Sequence, residues 1–150
     1  MACGPSLCLR HEIVSWTFQA LAAAILLQTL FFKFTGAPES KFIFATLGIE
    51  PWGRIGTGVA ELIAAVLLLY RRWSAFGGLM ATGLMAGAIF SHLTKLGIAV
   101  QGDGGLLFGL AVTVFGSGLI VAWLRRSQLP IPEWVLDRVT AVLGQPRRTA

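Results

Sequence analysis

Four long runs of apolar residues, separated by short polar segments, make up most of this chain. The runs cover residues 13–34, 52–70, 74–98 and 104–124. Each contains about 20 residues, which is the length that a helix needs to cross a hydrocarbon core of roughly 30 Å. Because lipid offers the backbone no hydrogen-bond partners, such runs must be helical. The pattern therefore predicts an all-α fold, a bundle of four transmembrane helices.

Two shorter helices are predicted outside the spans. Between the first two runs, Pro38 stands where a helix can begin and Gly48 where it can end, so a short interfacial helix is expected there. After the fourth run, residues 133–143 have one apolar side and precede Gly144, which predicts a C-terminal amphipathic helix. The chain is thus divided into an N-terminal segment, a four-helix membrane domain and a C-terminal tail: residues 1–12, 13–126 and 127–150.

Composition supports a membrane protein. Hydrophobic residues make up 55% of the chain and charged residues 13%, with a mean hydropathy of +0.74, whereas a soluble domain carries about 25% charged residues. The formal charge of +5 does not indicate nucleic acid, because the basic residues stand at the ends of apolar runs. Cys3 and Cys8 precede the first span in a spacing that matches neither redox nor zinc patterns. The expected partner is the lipid bilayer.

The basic residues also predict the orientation in the membrane. With four spans, both termini and the loop between the second and third spans share one side. That side carries most of the basic residues: Arg10, Arg71, Arg72, Arg125, Arg126, Arg138, Arg147 and Arg148. The other side carries Lys33, Lys41, Arg54 and Lys95. By the positive-inside rule, this predicts a multi-pass membrane protein with both termini in the cytoplasm.

Polar residues from three spans fall at one depth. Gln28, Glu61 and His92 lie roughly 8–11 Å below the outer surface at 1.5 Å per helical residue. Arg54 and Asp103 stand above them, at the mouths of the second and fourth spans. We expect a polar, ligand-binding pocket that opens to the outer face, and no comparable set of polar residues in the cytoplasmic half.

These residues suggest chemistry because ionisable groups inside a membrane are costly and usually functional. Glu61 and His92 are the candidate catalytic residues, with Glu61 exchanging a proton and His92 forming a hydrogen bond to a ligand. Arg54 and Asp103 are expected to form an ion pair at the rim. In the structural alternative, Glu61 bonds Arg54 or His92 and only joins two helices. No metal is expected, because the residues lack a ligand spacing.

Glycines spaced four residues apart are the candidate close-packing surfaces between helices. The pairs are Gly83 with Gly87 in the third span and Gly105 with Gly109 in the fourth. Small residues allow helix backbones to approach closely in membranes. Packing inside the bundle explains both pairs at least as well as contact between two copies of the chain.

Four groups of residues carry a resemblance to a known family. They are Lys33-Phe34-Thr35-Gly36 with Pro38-Glu39; Leu47-Gly48-Ile49-Glu50-Pro51-Trp52-x-Arg54 with Gly58 and Glu61; Met85-x-Gly87-Ala88-Ile89 with His92-Leu93 and Leu96-Gly97; and Asp103-Gly104-Gly105-x-Leu107-Phe108. Together they resemble the DoxX-like family of small bacterial and archaeal membrane proteins, and the resemblance covers about residues 16–126. The family takes its name from a subunit of a quinone-linked, sulfur-oxidising membrane complex. The resemblance therefore implies a four-helix bundle, a bacterial inner membrane and a quinone connection.

Three functions remain open from the sequence. The leading hypothesis is a small membrane subunit beside a redox complex, with a quinone head in the outer pocket. The sequence has no flavin fingerprint, haem pair or cluster cysteines, so a partner would supply the electrons and a stand-alone enzyme is not expected. The second hypothesis is a non-catalytic accessory or scaffold subunit, and the third is a small-solute carrier. Other membrane subunits or further copies of the chain are the expected protein partners.

Overall fold

The computed structural model describes the backbone of residues 5–129 and the side chains of residues 10–129. The helices, in chain order, are α1 Pro5–Thr35, α2 Pro38–Thr46, α3 Trp52–Leu69, α4 Ser74–Ser91 and α5 Leu106–Leu124. A π-helical turn, His92–Leu96, extends α4, and a 3₁₀ turn, Arg126–Gln128, follows α5. In this part of the chain, four segments are long and apolar enough to cross a membrane: α1, α3, α4 with its π-helical turn, and α5. The prediction of an all-α bundle of four such helices is confirmed.

Glycines with positive φ mark the ends of two helices. The helix predicted between the first two spans is present as α2, and Gly48, with φ +76°, follows its last turn. The third span ends at Leu96 rather than residue 98, because Gly97 has φ +80° and leaves the helical conformation. Similarly, α5 begins at Leu106 rather than residue 104. The predicted amphipathic helix of the tail lies outside the described residues.

The four long helices form a ring in the order α1, α3, α4, α5. Each packs mainly against its two neighbours in the ring, and α1 has little contact with α4 across the centre. The short helix α2 packs against α1, α3 and the π-helical turn. We call the end that carries α2 and the α4–α5 loop the pocket end. The opposite end, formed by the start of α1, the α3–α4 turn and the 3₁₀ turn, is the Arg-rich end.

Two close helix approaches occur at neighbouring glycines of α4: Gly77 lies against Leu68 of α3, and Gly78 lies against Gly118 of α5. A Cβ atom at Gly118 would lie 2.7 Å from the Gly78 carbonyl oxygen and 2.5 Å from Thr82 Oγ1. By contrast, Cβ atoms at Gly83, Gly87 or Gly109 would have no neighbour within 4 Å. The expectation that those glycines pack inside the bundle is wrong. Gly105 stands ahead of α5 with φ +88°, so it serves a turn rather than a helix contact.

The core of the bundle consists largely of small and branched apolar side chains. Members with almost no exposure are Ala22, Leu26, Ala64, Leu68, Ala81, Val114 and Val121. Large apolar side chains instead cover the outside, including Phe31, Trp52, Val66, Phe90 and Trp123. In water such a surface would be unfavourable, whereas lipid solvates it. The exterior therefore indicates contact with the bilayer, which leaves the polar groups of the interior as the features to explain.

Candidate functional site

A cavity of about 610 Å³ lies at the pocket end between the helices. All five helices and the π-helical turn contribute to its wall. Its polar side chains include Gln28, Thr29, Lys33, Glu61, His92 and Asp103, and most of the remaining lining is apolar. Four of the five predicted ligand-binding residues thus meet at one cavity. Arg54 is not part of its wall.

Glu61 is the most deeply enclosed acidic group of this cavity, with 4% of its side chain exposed. Both of its carboxylate oxygens accept hydrogen bonds from Lys33 Nζ at 2.7 Å, and Oε2 also accepts one from Thr29 Oγ1 at 3.2 Å. Thr29 and Lys33 stand four residues apart on α1, so they share a face at the depth of Glu61. Arg54 and His92 were the partners expected for Glu61, and that expectation is wrong.

The cost of burying a charge explains why Lys33 and Glu61 are paired. An uncompensated charge inside the protein is very costly, whereas a close, hydrogen-bonded pair recovers much of that cost. Lys33 is only 15% exposed, so water screens the pair weakly. The pair joins α1 to α3 and adds no net charge to the cavity wall.

Arg54 performs a different structural task from the one predicted. Its Nε donates a hydrogen bond to Glu50 Oε1 at 2.8 Å, and its Nη1 donates one to the Lys33 carbonyl oxygen. Glu50 precedes Arg54 by one helical turn, and the end of α1 lies alongside, so both partners are within hydrogen-bond reach. Arg54, 8% exposed, thus fixes the start of α3 to the end of α1.

Asp103 caps α5 instead of pairing with Arg54. Its carboxylate accepts hydrogen bonds from three backbone N–H groups: Val100 at 2.8 Å, Gly105 at 2.9 Å and Leu107 at 3.0 Å. The bonds from Leu107 and then Gly105 are the main causes that lower the pKa of Asp103 below its ordinary value of 3.8. A carboxylate at a helix N-terminus also interacts favourably with the helix dipole. The predicted Arg54–Asp103 ion pair is therefore wrong.

His92 opens the π-helical turn and is 6% exposed. Its Nδ1 lies 2.8 Å from the Gly97 carbonyl oxygen, and its ring meets the Phe108 ring edge-on at 5.7 Å between centroids. A carbonyl oxygen only accepts, so this contact assigns the proton to Nδ1. In the neutral ring, Nε2 is then an acceptor, and it has no hydrogen-bond partner among the described residues. His92 can accordingly accept a hydrogen bond from a ligand hydroxyl.

The wall chemistry suits an amphipathic molecule. Most of the lining is apolar, while the Lys33–Glu61 pair and His92 supply a few polar contacts, a combination typical of small-molecule pockets. Gln28 is exposed on α1 yet borders the cavity, so it can reach a ligand at the edge. Within the described ranges, no three His, Cys, Asp or Glu residues are placed to hold one metal ion.

A second polar network lies at the Arg-rich end, where none was predicted. Arg125, 8% exposed, donates from Nη2 to Glu12 Oε2 at 2.9 Å and from Nε to Ser15 Oγ at 2.9 Å. Gln19 Nε2 donates to the same hydroxyl at 2.6 Å. Glu12, Ser15 and Gln19 follow one another at three- and four-residue spacing, a helical-face signal that could have revealed them. The expectation of a cytoplasmic half without such residues is wrong.

The structure places the resemblance-bearing residues Lys33, Glu61 and His92 together at one cavity. The motifs that contain these three residues therefore meet at one location in the fold. It does not test membership of the DoxX-like family, which stays a prediction. Comparisons of the chain with protein-family models, curated proteins and solved structures find no match.

Proposed function

We propose that this protein is a small integral membrane subunit that holds a quinone-type head group beside a partner redox complex. The cavity at the pocket end carries the proposal. Its volume of about 610 Å³ falls within the range of roughly 300–1,000 Å³ that small-molecule sites occupy. Its mixed lining suits a polar head on an apolar body, and the resemblance to the DoxX-like family suggests the quinone class.

The polar groups support a head that both donates and accepts hydrogen bonds. His92 Nε2 is available to accept a hydrogen bond from a ring hydroxyl, while the Lys33 ammonium on α1 can donate one. The bound quinone would supply the electron-carrying chemistry. This chain would bind the head, exclude water from it and, through the Lys33–Glu61 pair, hold the ammonium proton of Lys33 close to it. The partner complex would supply the electrons.

Filling the cavity tests the proposal without touching its charged groups. Gly87 lines the cavity and has open space at its Cβ position, so Gly87→Leu places a side chain in the ligand volume. Gly109 also has open space but lies outside the cavity wall, so Gly109→Leu is the matched control. The probe is ubiquinone-1, measured by equilibrium binding to each variant in nanodiscs. We expect the wild type and Gly109→Leu to bind the quinone. The affinity of Gly87→Leu should be lower by roughly tenfold or more, which corresponds to about 1.4 kcal/mol of binding free energy.

Equal binding by both glycine variants, or none by the wild type, would contradict the proposal. The role of Glu61 is tested separately by Glu61→Gln. If that substitution leaves both quinone binding and the turnover of an associated complex unchanged, Glu61 has no part in the mechanism.

A non-catalytic scaffold is the second candidate, and one observation favours it. Both oxygens of Glu61 are already occupied by Lys33, so the pair serves to join α1 and α3 whether or not a ligand binds. In this case Glu61→Gln lowers bundle stability or the yield of a complex and leaves any chemistry unaffected. Measuring stability and quinone binding on the same samples separates the two functions.

A further inference from the structure

A separate depression of about 710 Å³ lies at the Arg-rich end, on the opposite side of the bundle from the cavity. The turn between α3 and α4 forms most of it. Its lining consists of Tyr70, Arg71, Arg72, Trp73, Phe76 and Gln128. The depression thus brings two guanidinium groups next to three aromatic rings.

The two arginines of the depression carry positive charge that the described residues neutralise only in part. Arg71 is 72% exposed and reaches Glu12 only at 3.4 Å. The Glu12 carboxylate is already bound more closely by Arg125, at 2.9 Å. Arg72 is exposed and has no ion pair within residues 10–129. The depression therefore presents close to two positive charges to an incoming anion.

The backbone beneath these arginines is held in place. Gln128 Nε2 donates to the Arg71 carbonyl oxygen at 2.7 Å, while Gln128 Oε1 accepts from the Ala75 N–H at 3.2 Å and the Ser74 hydroxyl at 3.1 Å. One side chain thus fixes the α3–α4 turn against the end of α5. The depression is consequently a formed site rather than a loose loop.

We propose that this depression binds the head group of an anionic phospholipid. Arg71 and Arg72 would contact the phosphate, since guanidinium groups form strong charge-assisted hydrogen bonds with phosphate oxygens. Tyr70, Trp73 and Phe76 would contact the glycerol and the first acyl carbons, because aromatic side chains favour the membrane interface. The exposed rings favour a lipid over free phosphate, which has no apolar part.

Native mass spectrometry of the full chain, titrated with phosphatidylglycerol or phosphatidylcholine, tests this site. An arginine that contacts the anionic head group strengthens its binding by about fivefold. The double variant Arg71→Gln with Arg72→Gln should therefore bind phosphatidylglycerol about 25-fold more weakly. The control, Arg10→Gln with Arg126→Gln, removes the same charge from the same end outside the depression and should keep the wild-type affinity.

A second variant guards against a folding defect. Arg71→Lys with Arg72→Lys keeps both charges and should retain most of the phosphatidylglycerol binding. Equal losses in the test and control pairs would overturn the site, since they would report only overall charge. The site would also be overturned if the wild type bound phosphatidylcholine as tightly as phosphatidylglycerol, or if it bound inorganic phosphate in place of the lipid.

Discussion

Glu61 and Lys33 are held together by two short hydrogen bonds inside the bundle. Lys33 stands near the end of a hydrophobic run, where the sequence alone suggests a side chain that reaches toward the headgroups. Which way it turns depends on the rotation of α1 against α3, and residue spacing within one helix does not fix that rotation. The inward position of Glu61 was therefore predictable, whereas its partner was not.

Lys33→Met should lower the free energy of unfolding by about 3 kcal/mol, because it leaves the Glu61 carboxylate buried without its cation. Glu61→Gln should also destabilise the protein. The double variant should lose clearly less than the sum of the two, since neither charge is left alone. Unfolding in mixed detergent micelles measures the three values. Additive losses would mean that the two side chains do not interact in the folded protein.

Asp103 gives the protein a pH-dependent contribution to stability. Its pKa is lowered on folding, so the stabilisation is present above the ordinary value of 3.8 and is lost as the pH falls through the folded-state pKa. Asp103→Ala should cost about 1 kcal/mol near pH 6, as expected for a helix cap. The difference from the wild type should shrink toward pH 3.

Unfolding measured at both pH values tests this account. Glu39→Ala removes another, exposed carboxylate at the pocket end and serves as the control. If the two alanine variants showed the same dependence on pH, the backbone hydrogen bonds of Asp103 would not be its cause.

At the scale of helices, the apolar runs predicted every span, because a span of this length has only one way to satisfy its backbone in lipid. The short helix α2 was predictable from Pro38 and Gly48 for equally local reasons. The sites of close helix packing were not. Glycine spacing selected Gly83 and Gly87, which border the cavity, whereas the contact between α4 and α5 occurs at Gly78 and Gly118.

Two alanine substitutions on α5 test which glycine carries the contact. Gly118→Ala adds a methyl group where the Gly78 carbonyl and Thr82 leave no room, so it should cost about 1–3 kcal/mol of stability. Gly109→Ala meets open space and should be neutral or slightly stabilising. Thermal unfolding in detergent compares them. A tolerated Gly118→Ala would show that the helices can separate there without loss.

At the scale of the whole molecule, the two ends differ in the number of exposed cations. Each end has cations paired with acidic residues: Lys33 and Arg54 at the pocket end and Arg125 at the Arg-rich end. Two further cations are exposed at the pocket end, Lys41 and Lys95, whereas four are exposed at the Arg-rich end, Arg10, Arg71, Arg72 and Arg126, and the sequence adds three arginines in the tail. Basic residues flanking the spans set the orientation of a membrane protein. We therefore keep the prediction that the Arg-rich end faces the cytoplasm.

Reporter fusions measure this orientation directly. Green fluorescent protein joined after Ala150 should fluoresce, because both termini are expected in the cytoplasm. Alkaline phosphatase inserted after Gly102 should be active, because the α4–α5 loop is expected on the outer side. The reverse pattern would place the cavity on the cytoplasmic side and would require a different route for its ligand.

The Lys33–Glu61 pair also has a consequence for biosynthesis. Glu61 stands at the middle of α3, and an acidic side chain at the centre of a lone helix raises the cost of insertion by roughly 3 kcal/mol. The ribosome releases α1, with Lys33, before α3 and releases α4 and α5 later. The carboxylate can therefore meet its ammonium partner while the second half of the chain is still being made. The first two spans are accordingly expected to enter the bilayer as a hairpin, with the ion pair formed before the bundle closes.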